Sequence, residues 1–380
     1  MVAESVVQQR DNTLGAAKGR IQIGPKPEWA TTCSFRTDFK PKQAGHITYL
    51  LATKQFHAEK RQIFTHTANR MDTIQGVQSA TEGKIAFDPQ TQSLTFHSIQ
   101  VHRAGTAMDR TSMDHVRSVE RVTHGLDSSK RISVSLVLED VRPGDILELS
   151  YSIEDHPVLL ADNCGYFFSL PEGVPFGKFY FSMIFNETRR VQWRSSAHYL
   201  QPEETRANGE VRQIWTRDNF LGSHAEEYAP AWQISYPWVQ VSDFPDWQTV
   251  SSAFAEAWNL DRFDADIATL IPELAAAEGS TAQQIGRAVQ FIQEQFRYIP
   301  ADGEIDGTPP VEPELVARRR YGDTKDLSLL LMLALKRLGL ETRLVLVNSE
   351  IRKSLSVLLP MPSIFNHLVV EYKKIGRAHV

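Results

Sequence analysis

The sequence contains little cysteine and lacks the marks of secreted or membrane-spanning chains. Two cysteines, Cys33 and Cys164, occur in 380 residues, too few for a disulfide framework. A single bridge fits this count, but two free thiols are the simpler expectation. No run of 18 apolar residues is present, so no transmembrane helix is predicted. The first residues lack the basic start and apolar stretch of a secretory signal. We therefore expect the cytoplasm by default, with the periplasm as the alternative.

Charge and motifs exclude further classes of function. A net charge of −5 provides no basic surface for nucleic acid. There is no His-Glu-x-x-His motif, paired Cys-x-x-Cys or glycine-rich phosphate loop. His97 and His102 are five residues apart, so on one strand they would face opposite sides. We expect no metal and no cofactor. A protein or peptide remains the open choice of partner, and the sequence does not indicate an oligomeric state.

The chain is long enough for two domains, at roughly 100–200 residues each. Residues 1–45 are polar and mixed, and we expect a loosely attached arm. Residues 46–240 contain short β-rich runs separated by turn formers. One of them, residues 132–138, alternates with a period near two, as strands with one buried face do. Many short strands with regular turns predict an all-β sandwich.

The texture becomes helical near Pro245 and then mixed, which predicts an α+β domain over residues 245–374. Ser280-x-x-Gln283 is a capping-box signal that opens an amphipathic helix. A very apolar helix, LSLLLMLALKRL, ends at Gly339 as its C-cap and is followed by two strands. The last six residues, 375–380, read as a sequencing scar, and we expect the domain to be truncated before them.

The start of the apolar helix carries the candidate chemistry. A papain-type site needs a thiol at the N-terminus of a buried helix, where the helix dipole favours the thiolate. A histidine on a neighbouring strand then serves as base. In this sequence Thr324 occupies the thiol position, and His367, on the second strand after the helix, occupies the histidine position.

The segment RRYGDTKDLSLLLMLALKRLGLETRLVLVN resembles the active-site helix of bacterial transglutaminase-like domains, whose motif is Gly-Asp-Cys-Lys-Asp. Gly322, Asp323, Lys325 and Asp326 match this motif, and Thr324 replaces the cysteine. The likeness implies a papain fold, a nucleophile position at residue 324 and candidate binding residues at 323, 325 and 326.

The histidine strand and the first half of the chain extend this resemblance. FNHLVV is similar to the family's histidine strand, which implies the base position for residue 367. AFDPQTQSLTFHSIQVHRAG and RPGDILELSYSIED resemble the family's companion, a β-rich domain of unknown function. The resemblance therefore implies a two-domain protein, a β-sandwich followed by a transglutaminase-like domain.

The departure at Thr324 predicts an inactive domain. A threonine hydroxyl is far less acidic than a thiol, and threonine nucleophiles are typically N-terminal residues that use their own amine as base. We expect a degenerate site with a candidate peptide-binding cleft. Asp323 also has a plain reading as a helix N-cap, and Lys325 reads as an exposed side chain. Two alternatives stay open: a binding or scaffold protein that works through its β-sandwich, and an active peptidase or acyltransferase with an unrecognised nucleophile.

Overall fold

The computed structural model describes residues 19–42, 45–81, 84–120, 132–155, 163–198, 200–222, 228, 230, 232–263, 265–275, 279–299, 305 and 307–373. The described chain forms two compact units. Unit 1 holds the described residues through Asp243 except 230 and 232–233, which group with Phe244 and the residues after it in unit 2. The predicted scar at 375–380 and the first 18 residues of the predicted arm lie outside the described residues.

The described residues of unit 1 form strands, one short α-helix and one turn of 3-10 helix, Met113–His115. Its elements are β1 Ile21–Ile23, β2 Ile47–His57, β3 Gln62–Met71, α1 Ile74–Thr81, β4 Lys84–Phe87, β5 Gln92–Arg103, β6 Thr106–Asp109, β7 Val116–Glu120, β8 Ile132–Leu136, β9 Ile146–Asp155, β10 Gly165–Ser169, β11 Phe176–Asn186, β12 Gln192–Ser195, β13 Glu203–Ala207, β14 Glu210–Phe220 and β15 Trp238–Ser242. This content agrees with the β-rich texture predicted for residues 46–240.

One large mixed sheet dominates unit 1. Its strand order is β1-β5-β9-β3-β2-β11-β14-β13, with β6 paired to β5. Most neighbours are antiparallel, but β1 with β5 and β2 with β11 are parallel. Two three-stranded sheets, β10-β15-β12 and β4-β8-β7, complete the unit. Unit 1 therefore has several sheets and is not the simple sandwich that was predicted. The sequence could not show this, because local alternation does not encode the pairing between distant strands.

The two small sheets cover the same face of the large one. The sheet containing β10 buries its apolar side chains against β2, β11 and β14. The sheet containing β8 does the same against β5 and β9. Residues paired directly across neighbouring strands share a face. One row of directly paired residues crosses the large sheet, from Phe181 through Lys54, Thr65 and Tyr151 to Phe96. The sheet containing β10 covers the Phe181 end of this row and the sheet containing β8 covers the Phe96 end, so the two small sheets lie side by side on one face.

The described part of the predicted arm is attached to the opposite face. β1 is a strand of the large sheet, and Cys33 and Phe39 are buried with Leu51 and Ala68. The indole of Trp29 donates to the Gln62 side chain at 2.9 Å. The expectation of a loose arm is therefore corrected for residues 20–42. Its apolar residues are few and follow no period, so the sequence gives no sign of this attachment.

Unit 2 is the smaller, α+β part of the structure. Its elements are α2 Trp247–Trp258, α3 Ile267–Leu270, α4 Thr281–Gln295, β16 Arg297–Tyr298, α5 Pro313–Arg319, β17 Tyr321–Gly322, α6 Thr324–Arg337, β18 Glu341–Val347 and β19 His367–Lys373. The capping box of Ser280 and Gln283 opens α4 as predicted. The C-cap of α6 is Leu338 rather than the predicted Gly339, which comes next with φ of +77°.

Helix α6 is the core element of unit 2. Leu329, Leu330 and Ala334 are fully buried and pack with side chains of α3, α4 and α5. β18 and β19 pair antiparallel, with Val347 opposite His367. Within the described residues, no helix has the length and apolar character needed to cross a membrane.

Candidate functional site

Asp323 caps the start of α6. Its Oδ1 accepts hydrogen bonds from the backbone N–H groups of Lys325 at 2.8 Å and Asp326 at 3.0 Å. The Asp326 carboxylate accepts from the Asp323 N–H at 3.4 Å, which completes a reciprocal capping box. This fixes where the helix begins, and it occupies the carboxylate of a residue predicted to bind ligand.

Asp326 is a buried anchor. Its side chain is 3% exposed. Oδ1 accepts from the Val311 N–H at 2.8 Å, and Oδ2 accepts from Arg319 Nη2 at 2.5 Å. Burial raises the pKa of this carboxyl, and the nearby Asp323 charge adds to the effect, while these donors oppose it. Asp326 therefore ties the segment before α5 and the end of α5 to α6.

Gly322 makes room for this arrangement. A Cβ atom at residue 322 would lie 2.6 Å from Asp326 Cβ, closer than such atoms approach. Only glycine fits at this point without moving the buried carboxylate. The glycine of the matching motif thus serves the helix start.

Lys325 is not the exposed side chain that the sequence suggested. It is 11% exposed, and its Nζ lies 3.2 Å from Asp323 Oδ2. The ammonium next to the helix start is balanced by the cap carboxylate. A pairing of neighbours in the first turn depends on rotamers, which the residue order does not specify.

Thr324 joins α6 to β19. It is 4% exposed. Its Oγ1 accepts from the Leu368 N–H at 3.1 Å and donates to the Leu368 carbonyl at 3.3 Å. Ser328, one turn further along the helix, donates to the same carbonyl at 3.4 Å. The hydroxyl at the predicted nucleophile position thus hydrogen-bonds the backbone of the strand that carries His367.

His367 lies next to this contact, as the first residue of β19. Its ring meets the Tyr298 ring edge to face, with centroids 6.4 Å apart. No hydrogen bond joins the side chains of Thr324 and His367, both of which are among the described residues. The structure brings the start of the helix to the histidine strand, but it directs the hydroxyl to the backbone.

Tyr298 is a residue that sequence reasoning did not single out. β16 pairs parallel with β17, which puts Tyr298 opposite Gly322. The ring is 48% exposed. Burial of part of the phenol, followed by the Asp323 charge, raises its pKa. The stretch FRYI signals only a strand after α4, so the proximity of Tyr298 to His367 comes from strand pairing.

The two cysteines of the sequence do not belong to the unit that contains this site. Cys33 and Cys164 both belong to unit 1 and are free and buried, in agreement with the expectation of two free thiols. Burial raises the pKa of Cys33 to about 11 and that of Cys164 to about 12. Neither thiol is prepared for nucleophilic attack. In the described part of the chain, no group of three or more His, Cys, Asp or Glu side chains is placed to hold a metal ion.

Comparison with known proteins gives one family match, in unit 1. Residues 58–220 match a family described as a domain of unknown function with a solved structure, DUF3857. This agrees with the β-rich domain of unknown function expected in the first half of the chain. A search of curated proteins found no match.

Among solved structures, a presumed protease from Parabacteroides distasonis ATCC 8503 is similar, with a TM-score of 0.69 and 17% sequence identity. The alignment covers 87% of this chain and 66% of that one, so the chain spans about two thirds of that protein's length. This likeness shows a shared fold. An M1 zinc metallopeptidase from Deinococcus radiodurans has a TM-score of 0.27 at 13% identity, over 52% of this chain and 42% of that one. A similarity that low carries no argument.

Proposed function

We propose that unit 2 is a transglutaminase-like, papain-type domain without a catalytic nucleophile, which binds peptide and does not turn it over. The observation that carries the proposal is the position of Thr324. It is the first residue of a buried, capped helix, and its hydroxyl contacts the strand that begins with His367. A solved structure described as a presumed protease has the same fold at a TM-score of 0.69, which supports a protease-like ancestry for this unit.

The loss of catalysis follows from the chemistry of the hydroxyl. Without a contact to a base, a threonine hydroxyl stays protonated near neutral pH and is a weak nucleophile. Thr324 Oγ1 uses its donor and an acceptor position on Leu368. An attacking oxygen would have to break both bonds and leave a buried N–H without this acceptor.

Binding is assigned to the partly exposed pair beside this position. Tyr298 and His367 lie edge to face and retain contact with solvent. An aromatic ring and an imidazole can take a peptide by ring stacking and a polar contact. We expect peptide affinity to depend on both side chains.

The geometry is tested by placing a thiol at residue 324. We expect Thr324→Cys to react with iodoacetamide with a thiol pKa below ~8.5, and the added change His367→Ala to raise that pKa. Ser328→Cys is the matched control, because Ser328 contacts the same carbonyl one turn along the helix. The proposed relation to papain-type domains is refuted if the thiol of the Thr324→Cys variant has an ordinary pKa that does not change when His367→Ala is added.

Peptide binding is tested with a peptide array and the unmodified protein. We expect Tyr298→Ala and His367→Ala each to weaken binding, by about tenfold for loss of an aromatic anchor. Tyr372→Ala removes a tyrosine of similar exposure from the histidine strand and should leave binding unchanged. Turnover of any array peptide by the unmodified protein would instead support the active-enzyme alternative.

A further inference from the structure

A lysine interrupts an aromatic row on the large sheet of unit 1. Side chains that share one face across six paired strands are Trp215, Phe181, Lys54, Thr65, Tyr151 and Phe96. The tryptophan and both phenylalanines are fully buried. On β2 the same face carries Ala52 and Phe56 on either side of Lys54. Because most neighbours of Lys54 on this face are apolar, an apolar residue would be expected at position 54.

Two phenols flank this lysine. Tyr166, on β10 of a covering sheet, stacks on Phe56 and Phe181 at centroid distances of 5.7 and 5.9 Å. Lys54 Nζ lies 5.8 Å from the Tyr166 ring centroid. Tyr151 belongs to the same row as Lys54 and hydrogen-bonds the buried Thr65. Lys54, Tyr151 and Tyr166 all keep partial exposure to solvent.

The Lys54 ammonium has a phenol, and no carboxylate of the described residues, as its partner. Interaction with the Tyr166 phenol is the main cause of a raised pKa for Lys54, so the amine is charged at neutral pH. No ion pair within the described residues includes it. Two other half-buried cations of unit 1 are paired with buried aspartates, Arg103 with Asp145 and Arg189 with Asp243. Burial opposes the charged form, and a phenol is a weaker partner for an ammonium than a carboxylate is, so an anion from outside would stabilise the charge further.

We propose that Lys54, with the phenols of Tyr151 and Tyr166, binds a single carboxylate group. One ammonium matches one negative charge, whereas a phosphate dianion would call for further cations or a cluster of N–H donors. The neighbouring Ala52 and Phe56 provide apolar surface for the remainder of the ligand. The carboxylate can belong to the free C-terminus of a peptide or to a small organic acid, since the recognising chemistry is the same. This inference concerns unit 1 and does not depend on the function proposed for unit 2.

The test uses the whole protein and two matched probes, N-acetylphenylalanine and its amide, which differ only in the carboxylate. We expect saturable binding of the acid by ligand-observed NMR, and at least about tenfold weaker binding of the amide. Lys54→Met keeps the length and apolar stem of the side chain and should weaken binding of the acid by a similar factor. In the unmodified protein the acid should also slow acetylation of Lys54, read by mass spectrometry, with exposed Lys60 as the internal control.

The outcomes separate a binding site from a structural contact. If the lysine only packs on Tyr166, Lys54→Met binds the acid as the unmodified protein does, and the proposal is overturned. It is equally overturned if acid and amide bind alike or neither binds. Should Lys54→Met fail to fold, Tyr166→Phe keeps the stacked ring, removes the hydroxyl and should still weaken the acid. Peptides with free and with amidated C-termini then distinguish a peptide from a small acid.

Discussion

Replacing Thr324 by valine tests whether the hydroxyl of this residue stabilises the fold of unit 2. Valine keeps the shape of threonine and removes the hydroxyl that accepts from the Leu368 N–H at 3.1 Å. Leu368 is buried, so water cannot readily take the place of this acceptor. Thr324→Val should therefore destabilise unit 2, while Thr324→Ser, which retains the hydroxyl, should cost less.

The expected magnitude follows from the unmade hydrogen bond. A buried donor left without an acceptor costs about 1–3 kcal/mol, so we expect a loss of about 2 kcal/mol. Unit 2 extends from Phe244 through the last described residues. A unit of roughly 130 residues unfolds with an entropy of about 0.27 kcal/mol/K near its Tm. The Tm of unit 2 should thus fall by about 7 °C.

Calorimetry and hydrogen exchange check this result together. Two units can give two transitions, so the shift must be assigned to unit 2 by the exchange of amides in α6. Ser328→Ala, which removes the weaker contact to the same carbonyl, serves as the matched control. The reasoning is refuted if Thr324→Val unfolds at the temperature of the unmodified protein, or if valine is tolerated better than serine.

The remaining predictions concern a buried anion and two histidines, His57, which is buried, and His97, which is partly buried. Asp326→Ala removes the partner of Arg319 and of the Val311 N–H. Urea unfolding should show unit 2 destabilised by about 3–5 kcal/mol. The control Asp261→Ala, at an exposed residue, should have little effect. Burial lowers the pKa of His57 and His97 in the folded protein, so on acidification these histidines are protonated first in the unfolded chain. The free energy of unfolding should therefore fall as the pH drops below ~6.5, by at most about 1.4 kcal/mol per pH unit for each histidine. His57→Gln and His97→Gln should each flatten that slope in unfolding titrations, and unchanged slopes would contradict the assignment.

The sequence was informative where neighbouring residues determine structure. The box of Ser280 and Gln283, the cap of α6 at Asp323 and the glycine just after its C-cap depend on residues within a few positions of each other. Local propensity and capping act over that range. The β-rich texture of the first half was likewise visible from alternation and turns.

What the sequence could not supply depends on pairing between distant segments. The Thr324 hydroxyl bonds Leu368, 44 positions later, and Tyr298 reaches His367 through the pairing of β16 with β17. The parallel contact of β1 with β5 holds a stretch that looked like a loose arm. Lys54 reads as an ordinary strand residue until the register places it among buried aromatic rings. Strand register and sheet order follow from the whole fold, so a local pattern does not contain them.

The matching motif residues have to be separated by what they do. Gly322 clears space for Asp326, Asp323 caps the helix, and Asp326 holds Arg319 and the segment before α5. These three would be needed to start α6 at this point whether residue 324 carried a thiol or a hydroxyl. Their match to an active-site motif therefore reports a helix start and not catalysis. Of the predicted site residues, Thr324 and His367 remain as candidates for chemistry, and the Thr324 hydroxyl bonds the backbone of Leu368. The proposed function therefore has to be tested at residues 324 and 367, because the capping residues would look the same in an active and in an inactive domain.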